Sequence, residues 1–329
     1  MRDTRLLKVH DATSDDPAII EAARVLRGGG LVAFPTETVY GLGAVATDAE
    51  AVRGIFAAKG RPPTNPLIVH AADREMARSF AARWPEAAEV LAEALWPGPV
   101  TLVVEKRPTI PDVVTAGLGT VGLRIPAAPI ARALIAATGA PVAAPSANPS
   151  ERISPTRAEH VLADLRGRVD LVLDGGPATV GIESTVVDVS GAVPRVLRPG
   201  PVGRARLEAI LGRAVEQGAT PGAPHASPGM MTRHYAPDTP SVRLERGEAT
   251  LRDRVAPEDA VIVVGPEVEG VEARVALADE VTAARQLYEV LRWCDGLGAA
   301  RIVVVMPPRE ERWRALRDRL ERATVPDVG

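Results

Sequence analysis

Aromatic side chains are scarce in this 329-residue chain, which has 3 Phe, 3 Tyr and 4 Trp. That disfavours a nucleic-acid surface built from rows of stacking rings. Cysteine is nearly absent. The single Cys294 excludes an internal disulfide and any zinc cluster built on cysteines, and it is compatible with a reducing compartment. Neither charge sign dominates: 39 Lys and Arg stand against 42 Asp and Glu, a formal net charge of −3. The chain as a whole is therefore not a basic polyanion binder, while a local patch stays open. No apolar run approaches the ~20 residues that span a bilayer. The charged start Met1-Arg2-Asp3-Thr4-Arg5 is not followed by the apolar stretch of a signal peptide. The P-loop signature, H-E-x-x-H and G-x-S-x-G are missing, and the five His show no metal-ligand spacing. The expectation is a soluble, cytoplasmic protein with no metal site of its own.

Glycine and proline are plentiful, 29 and 30 residues, which predicts short elements and many turns. Asp15 or Asp16 and then Asp48 are placed to cap helices. Thr156 with Glu159 reads as a capping box for another. Strand-like runs fall at 31–34, 67–70, 100–105, 121–125, 141–144, 171–174, 184–189 and 195–197. Several succeed one another with no helix between, so some pairs should be antiparallel. The expected class is α/β: a twisted mixed parallel and antiparallel sheet with flanking helices over residues 1–212. Residues 213–240 are rich in Gly, Pro, Ala, His and Ser and read as a linker. Residues 241–329 carry strand runs at 241–244, 260–264 and 301–305 between helical patterns, a small Rossmann-like parallel α/β domain. In its last helix Trp313, Leu316 and Leu320 share a face, and the arginines opposite read as solvated.

Gly41–Ala46 fits G-x-G-x-x-A and Gly117–Gly122 fits G-x-G-x-x-G. Neither stands between a strand and a helix start with an acidic residue at the right distance, so both read as glycine-permitted turns. Three other segments invite chemistry. Lys59 and Arg61 flank Gly60, and Pro62, Pro63 and Pro66 stiffen the adjoining loop. Two cations on a rigid loop can converge on a polyphosphate, or simply complement a helix C-terminus. Ser146 and Asn148 lie just past a strand end, where α/β ligands gather, and are also ordinary turn residues. In 34–43, Thr36, Glu37 and Thr38 interrupt apolar runs as an edge strand with one wet face would.

Taken together, FPTETVYGLG (34–43), KGRPPTNPLIVH (59–70), WPGPVT (96–101), VGLRIP (121–126), APSAN (144–148), GIESTV (181–186) and LRPGP (197–201) resemble the YrdC-type threonylcarbamoyl-AMP synthases. The order is kept over about residues 10–240. Ser227-Pro228-Gly229-Met230 and His234-Tyr235-Ala236-Pro237 resemble the linker of the long, two-domain form. The resemblance implies a nucleotidyltransferase that combines L-threonine, bicarbonate or CO2, and ATP with its Mg²⁺. It would release pyrophosphate and threonylcarbamoyl-AMP, which downstream threonylcarbamoyl-transferase machinery places on tRNA; direct tRNA binding is left open. By the same resemblance Lys59, Arg61, Asn65, Ser146, Asn148, Ser154 and Arg198 contact ATP. Thr36 (in preference to Thr38), His70, Arg124 and Ser184 form the threonine pocket, with Thr120 between the ligands. Tyr235 would close over the nucleotide as part of a lid.

That chemistry needs no protein nucleophile. A carbamate oxygen attacks the α-phosphorus, and fixed cations must neutralise two anionic partners and hold them in line. The rival readings are an RNA-binding module, a carbamoyl-phosphate enzyme and an amino-acid-binding regulatory domain.

Overall fold

The computed structural model describes residues 2–218, 234–247, 251–269 and 271–327. The chain divides into two compact units. The first takes the described residues up to Ser150, Pro155–Thr179 and those from Glu183 to 218. The second takes Glu151–Ser154, Val180–Ile182 and the described residues from 234 on.

The first unit is built on an 11-stranded mixed sheet. Its strands are β1 (Arg5–Lys8), β2 (Val32–Phe34), β3 (Gly41–Val45), β4 (Ile68–His70), β5 (Val100–Glu105), β6 (Thr120–Arg124), β7 (Val142–Ala143), β8 (Leu171–Asp174), β9 (Thr185–Asp188), β10 (Arg195–Arg198) and β11 (Glu216–Gln217). They lie in the order β1-β8-β2-β3-β7-β4-β6-β5-β9-β10-β11. The pairs β4–β6 and β5–β9 are parallel; β2–β3, β3–β7, β4–β7 and β5–β6 are antiparallel. Its helices are α1 (Pro17–Arg27), α2 (Ala49–Lys59), α3 (Arg74–Ser79), α4 (Glu86–Leu95), α5 (Asp112–Thr115), α6 (Pro129–Thr138), α7 (Ala158–Leu165) and α8 (Arg204–Leu211). Asp16 and Asp48 cap α1 and α2, each carboxylate accepting two backbone N–H bonds that the first turn would leave unmade. The pair Glu216–Gln217 falls inside the segment that reads as a linker by composition and hydrogen-bonds to β10.

Strand alternation decides what each face of the sheet carries. Val69, Leu102, Leu123, Val187 and Val196 join the core formed with α2, α4 and α8. Phe34, Val142, Leu171 and Leu173 face the other way and pack with α1 and α6. His70 lies across from Val142 and beside Arg124 in register, so both point to that second side. There the sheet turns from apolar to polar.

Three sequence expectations need correction. Residues 34–43 are not an edge strand: β2 and β3 are interior, and Thr36, Glu37 and Thr38 are buried in the loop joining them. Pro35 cannot donate to a ladder, and the Thr36 hydroxyl folds the loop back by accepting from the N–H of Thr38 and Val39. The capping box also fails. α7 begins at Ala158 with Arg157 at its N-cap and no side-chain cap, and the N–H of Thr156 goes instead to His160 Nδ1 at 3.3 Å.

The second unit holds a parallel sheet of β12 (Ser241–Leu244), β13 (Ala260–Val264), β14 (Val275–Leu277), β15 (Ile302–Val305) and β16 (Val325–Pro326), ordered β14-β13-β15-β12-β16, with α9 (Glu280–Asp295) and α10 (Arg314–Ala323). The third correction lies here. Arg312 and Arg314 are exposed, but Arg317 and Arg319 are buried. Arg317 donates to the Pro307 carbonyl and to Glu245, both at 2.6 Å; Arg319 pairs with Asp318 at 3.0 Å. Long apolar stems let an arginine enter a core when its head finds acceptors.

Candidate active site

α2 ends at Lys59, and Gly60 comes next in the left-handed conformation (φ 60°) that a side chain would strain. Lys59 is buried. Its Nζ donates to the Ser146 carbonyl at 2.5 Å and to the Asn148 carbonyl. Two motifs 87 positions apart are thus joined by one ammonium group. Burial, and then the neighbouring Arg61, hold that ammonium well below the usual lysine range, against the pull of Asp164. Arg61 is clamped by its own proline-stiffened loop, Nε on the Asn65 carbonyl at 3.1 Å and Nη2 on the Pro66 carbonyl at 3.0 Å. Asn65 and Asn148 are buried, while Ser146 and Thr120 are half-buried. Thr120 opens β6, the strand parallel to β4.

A second polar cluster closes the other end of β4. The Arg124 Nε donates to the Gly98 carbonyl at 3.1 Å, Nη1 to Thr38 Oγ1 at 3.0 Å and Nη2 to Glu37 Oε1 at 2.6 Å. Both members of the ion pair are almost wholly enclosed, at 4% and 7% exposure. Thr36 Oγ1 donates to the Val39 carbonyl at 2.6 Å and lies 2.8 Å from Thr38 Oγ1. The Thr36 proton is committed to that carbonyl, so Thr38 donates to Thr36 and accepts from Arg124. Hydrogen bonds therefore run in one sense from Arg124 through both threonines. Burial alone would raise the Glu37 carboxyl; the Arg124 charge and hydrogen bond outweigh it and hold it below the usual range.

The loop at 35–40 ties the two clusters together. It leaves β2 beside the Ser146 loop, with a Gly41–Ser146 bridge and the Ala147 N–H on the Tyr40 carbonyl at 2.8 Å, and it reaches Arg124 through Thr38 and Glu37. Farther along the sheet the buried Ser184 Oγ lies 2.8 Å from Thr101 Oγ1 and accepts from Arg198 Nη2 at 3.1 Å. Arg198 also donates to the Ser184 carbonyl from Nε and Nη2, at 3.1 and 2.9 Å. A residue expected at the nucleotide thus braces one expected at threonine. Gly200 holds this corner, since a Cβ there would sit 2.3 Å from the Thr185 nitrogen.

Ser154 and Tyr235 belong to the second unit. Ser154 is buried, and Tyr235 stacks on Tyr288 with ring centroids 5.6 Å apart, beneath the Arg319 guanidinium. The Ser227–Met230 part of the expected lid lies outside the described residues. Sequence reasoning singled out Glu37 and Thr38 but did not link them to Arg124, and it missed Thr101 beside Ser184. The available signal was a carboxylate inside an apolar run with no opposite charge within a helical turn of it.

His70 is buried with no hydrogen-bond partner for Nδ1. Burial first, then Arg124, push its pKa from 6.5 down to about 3, against Glu37. The native state keeps the ring neutral while the unfolded chain protonates below 6.5. The stabilisation is therefore complete above pH 6.5 and is lost as pH falls from there towards 3. By pH 5 the loss is ~2 kcal/mol. Thermal melts of His70→Gln should show a correspondingly smaller drop between pH 7 and pH 5; a drop equal to that of the wild type refutes the assignment.

Comparison with known proteins bears on this arrangement. A family model described as Telomere recombination (Sua5, YciO and YrdC) matches residues 24–200, and one described as Threonylcarbamoyl-AMP synthase, C-terminal domain, matches 202–325. The chain belongs to the Sua5/YrdC family in its two-domain form. Similarity to named members is high. The threonylcarbamoyl-AMP synthase of Pyrococcus abyssi is 41% identical over 315 residues, 92% of this chain and 93% of that one. The Bacillus subtilis threonylcarbamoyl-AMP synthase is 47% identical over 233 residues, 70% and 67% of the two chains. The crystal structure of P. abyssi Sua5 complexed with L-threonine superimposes with a TM-score of 0.87 at 37% identity, over 99% of this chain and all of that one. Escherichia coli YciO, at 24% identity and a TM-score of 0.54 over 61% of this chain, shares the fold.

Proposed function

We propose that this chain condenses L-threonine, CO2 or bicarbonate, and ATP into threonylcarbamoyl-AMP and pyrophosphate. The carrying observation is the pair of buried cationic clusters at the two ends of the three-residue strand β4, bridged by the loop at 35–40. The P. abyssi relative forms a complex with L-threonine, which supports threonine as the amino acid used here.

The chemistry is dictated by charge. The threonine amine adds to CO2, losing a proton, and gives a carbamate. A carbamate oxygen forms a bond to the α-phosphorus, and the bond from that phosphorus to the β-phosphate oxygen breaks. Lys59 and Arg61 hold the triphosphate, and the chain amides and side chains of Ser146, Asn148 and Asn65 orient it. Arg124 takes the threonine carboxylate, while His70, Ser184 and the 36–38 loop take the hydroxyl and amine. Thr120 lies between, and Arg198 fixes Ser184. No group of three His, Cys, Asp or Glu among the described residues could hold a metal ion. Mg²⁺ enters with ATP, as part of the substrate. The product is an activated carbamoyl donor for the modification of tRNA in the cytoplasm.

The test is pyrophosphate release with ATP, Mg²⁺ and bicarbonate. Release should depend on threonine. Valine, which has a methyl group in place of the hydroxyl, should be rejected by up to ~10⁴ in kcat/KM. Equal rates with threonine, valine and no amino acid overturn the reading.

A further inference from the structure

The two clusters differ in a way that the net charge hides. Lys59 rests on uncharged carbonyl oxygens, so its charge is available to an anion. Arg124 already has a carboxylate at 2.6 Å. Glu37 is itself fixed, since Oε2 accepts the Ala128 N–H at 3.3 Å ahead of α6. Of the five guanidinium N–H groups of Arg124, three are engaged by Gly98, Thr38 and Glu37, and two are left. A buried ion pair with donors to spare is a poor receptor for a free anion, because Glu37 repels what Arg124 attracts. It is a good receptor for a zwitterion, whose carboxylate meets the arginine and whose ammonium meets the glutamate.

We propose that Glu37 is a specificity-determining residue that reserves the Arg124 pocket for zwitterionic amino acids and keeps simple anions, the triphosphate included, out of it. The inference rests on reading that pocket as the amino-acid site. It explains how one protein can hold two basic clusters a strand apart without either ligand occupying the other's place. It also explains why a carboxylate is buried in a site whose substrates are anionic overall. Arg124 holds the Glu37 carboxyl below its usual range, so at neutral pH it presents a negative charge to an ammonium group.

Calorimetry on the full chain tests this with three probes: L-threonine, 3-hydroxybutyrate (no amine) and threoninol (no carboxylate). The wild type should prefer threonine to either analogue by about 30-fold or more. Glu37→Gln keeps the shape and removes the charge. It should weaken threonine by about 30-fold and leave 3-hydroxybutyrate unchanged or tighter, so that the discrimination between them collapses while ATP affinity holds. A merely structural role would weaken both probes alike. Glu37→Asp should restore part of the preference. If Glu37→Gln does not fold, the wild-type ratios still decide: threonine and 3-hydroxybutyrate binding equally overturns the proposal. Discrimination retained in Glu37→Gln overturns it too, with the pocket assignment intact. Absence of threonine binding to the wild type overturns the pocket assignment itself and this inference with it.

Discussion

Lys59→Met is expected to lower threonine-dependent pyrophosphate release by about 10³-fold while the melting temperature stays within about 4 °C of the wild type. The two halves of that result have one cause. The ammonium group is buried on two carbonyl oxygens, and the pull of Asp164 is outweighed by burial and by Arg61. An ammonium is costly to bury, so removing it offsets much of what the two lost carbonyl hydrogen bonds cost, and Met is of similar length. The reaction, in contrast, moves negative charge onto the departing pyrophosphate, and a preoriented cation in a dry site lowers that barrier far more than it tightens the ground state. The loss should therefore fall mainly on kcat, with a smaller change in KM for ATP. Lys59→Arg should not restore activity, because a guanidinium presents its donors as a planar fork and not as the compact ammonium that bonds the Ser146 and Asn148 carbonyls. Activity within tenfold of the wild type would remove Lys59 from the reaction.

The sequence exposed the scaffold of this site better than its wiring. Asp16 and Asp48 mark helix starts because a carboxylate before an apolar period has one evident use, and both cap as expected. Strands such as Val100–Glu105 and Leu171–Asp174 are legible because continuous apolar runs that short are buried on both faces. The weak edges were not: Arg5–Lys8, Val275–Leu277 and Val325–Pro326 are short or exposed, and only their neighbours make them strands. Among the site residues, the K-x-R and S-x-N segments stand out by composition, but that Lys59 binds the backbone of Ser146 and Asn148 could not be read, because backbone carbonyls carry no sequence signature.

The loop at 35–40 shows the opposite failure. Its polar residues are visible, and their interruption of apolar runs reads as a half-wet edge strand. What decided their fate was a partner, Arg124, 86 and 87 positions away. Buried charge pairs of this separation lie beyond any local pattern. Arg317 repeats the lesson in the second unit, where Glu245, 72 positions earlier, draws a helix arginine inward. Polar residues in apolar surroundings are thus better read as half of an unfinished pair than as a solvent-facing side.

That pairing also lets folding and function be separated at Arg124. Arg124→Ala leaves Glu37 buried with its cation gone, and breaking a pair so enclosed costs about 3–5 kcal/mol. The double variant Arg124→Ala with Glu37→Ala removes both charges, so it should be more stable than Arg124→Ala alone, by denaturant melts read in the same buffer. Threonine use should behave differently. With the proposed carboxylate anchor gone, KM for threonine should rise by about 100-fold or more in both variants, and the stability regained by the double variant should return none of it. Pyrophosphate release at saturating ATP across a threonine series measures the second effect independently of the first. If the double variant recovers threonine KM together with its stability, Arg124 serves the fold alone, and the carboxylate must be held elsewhere.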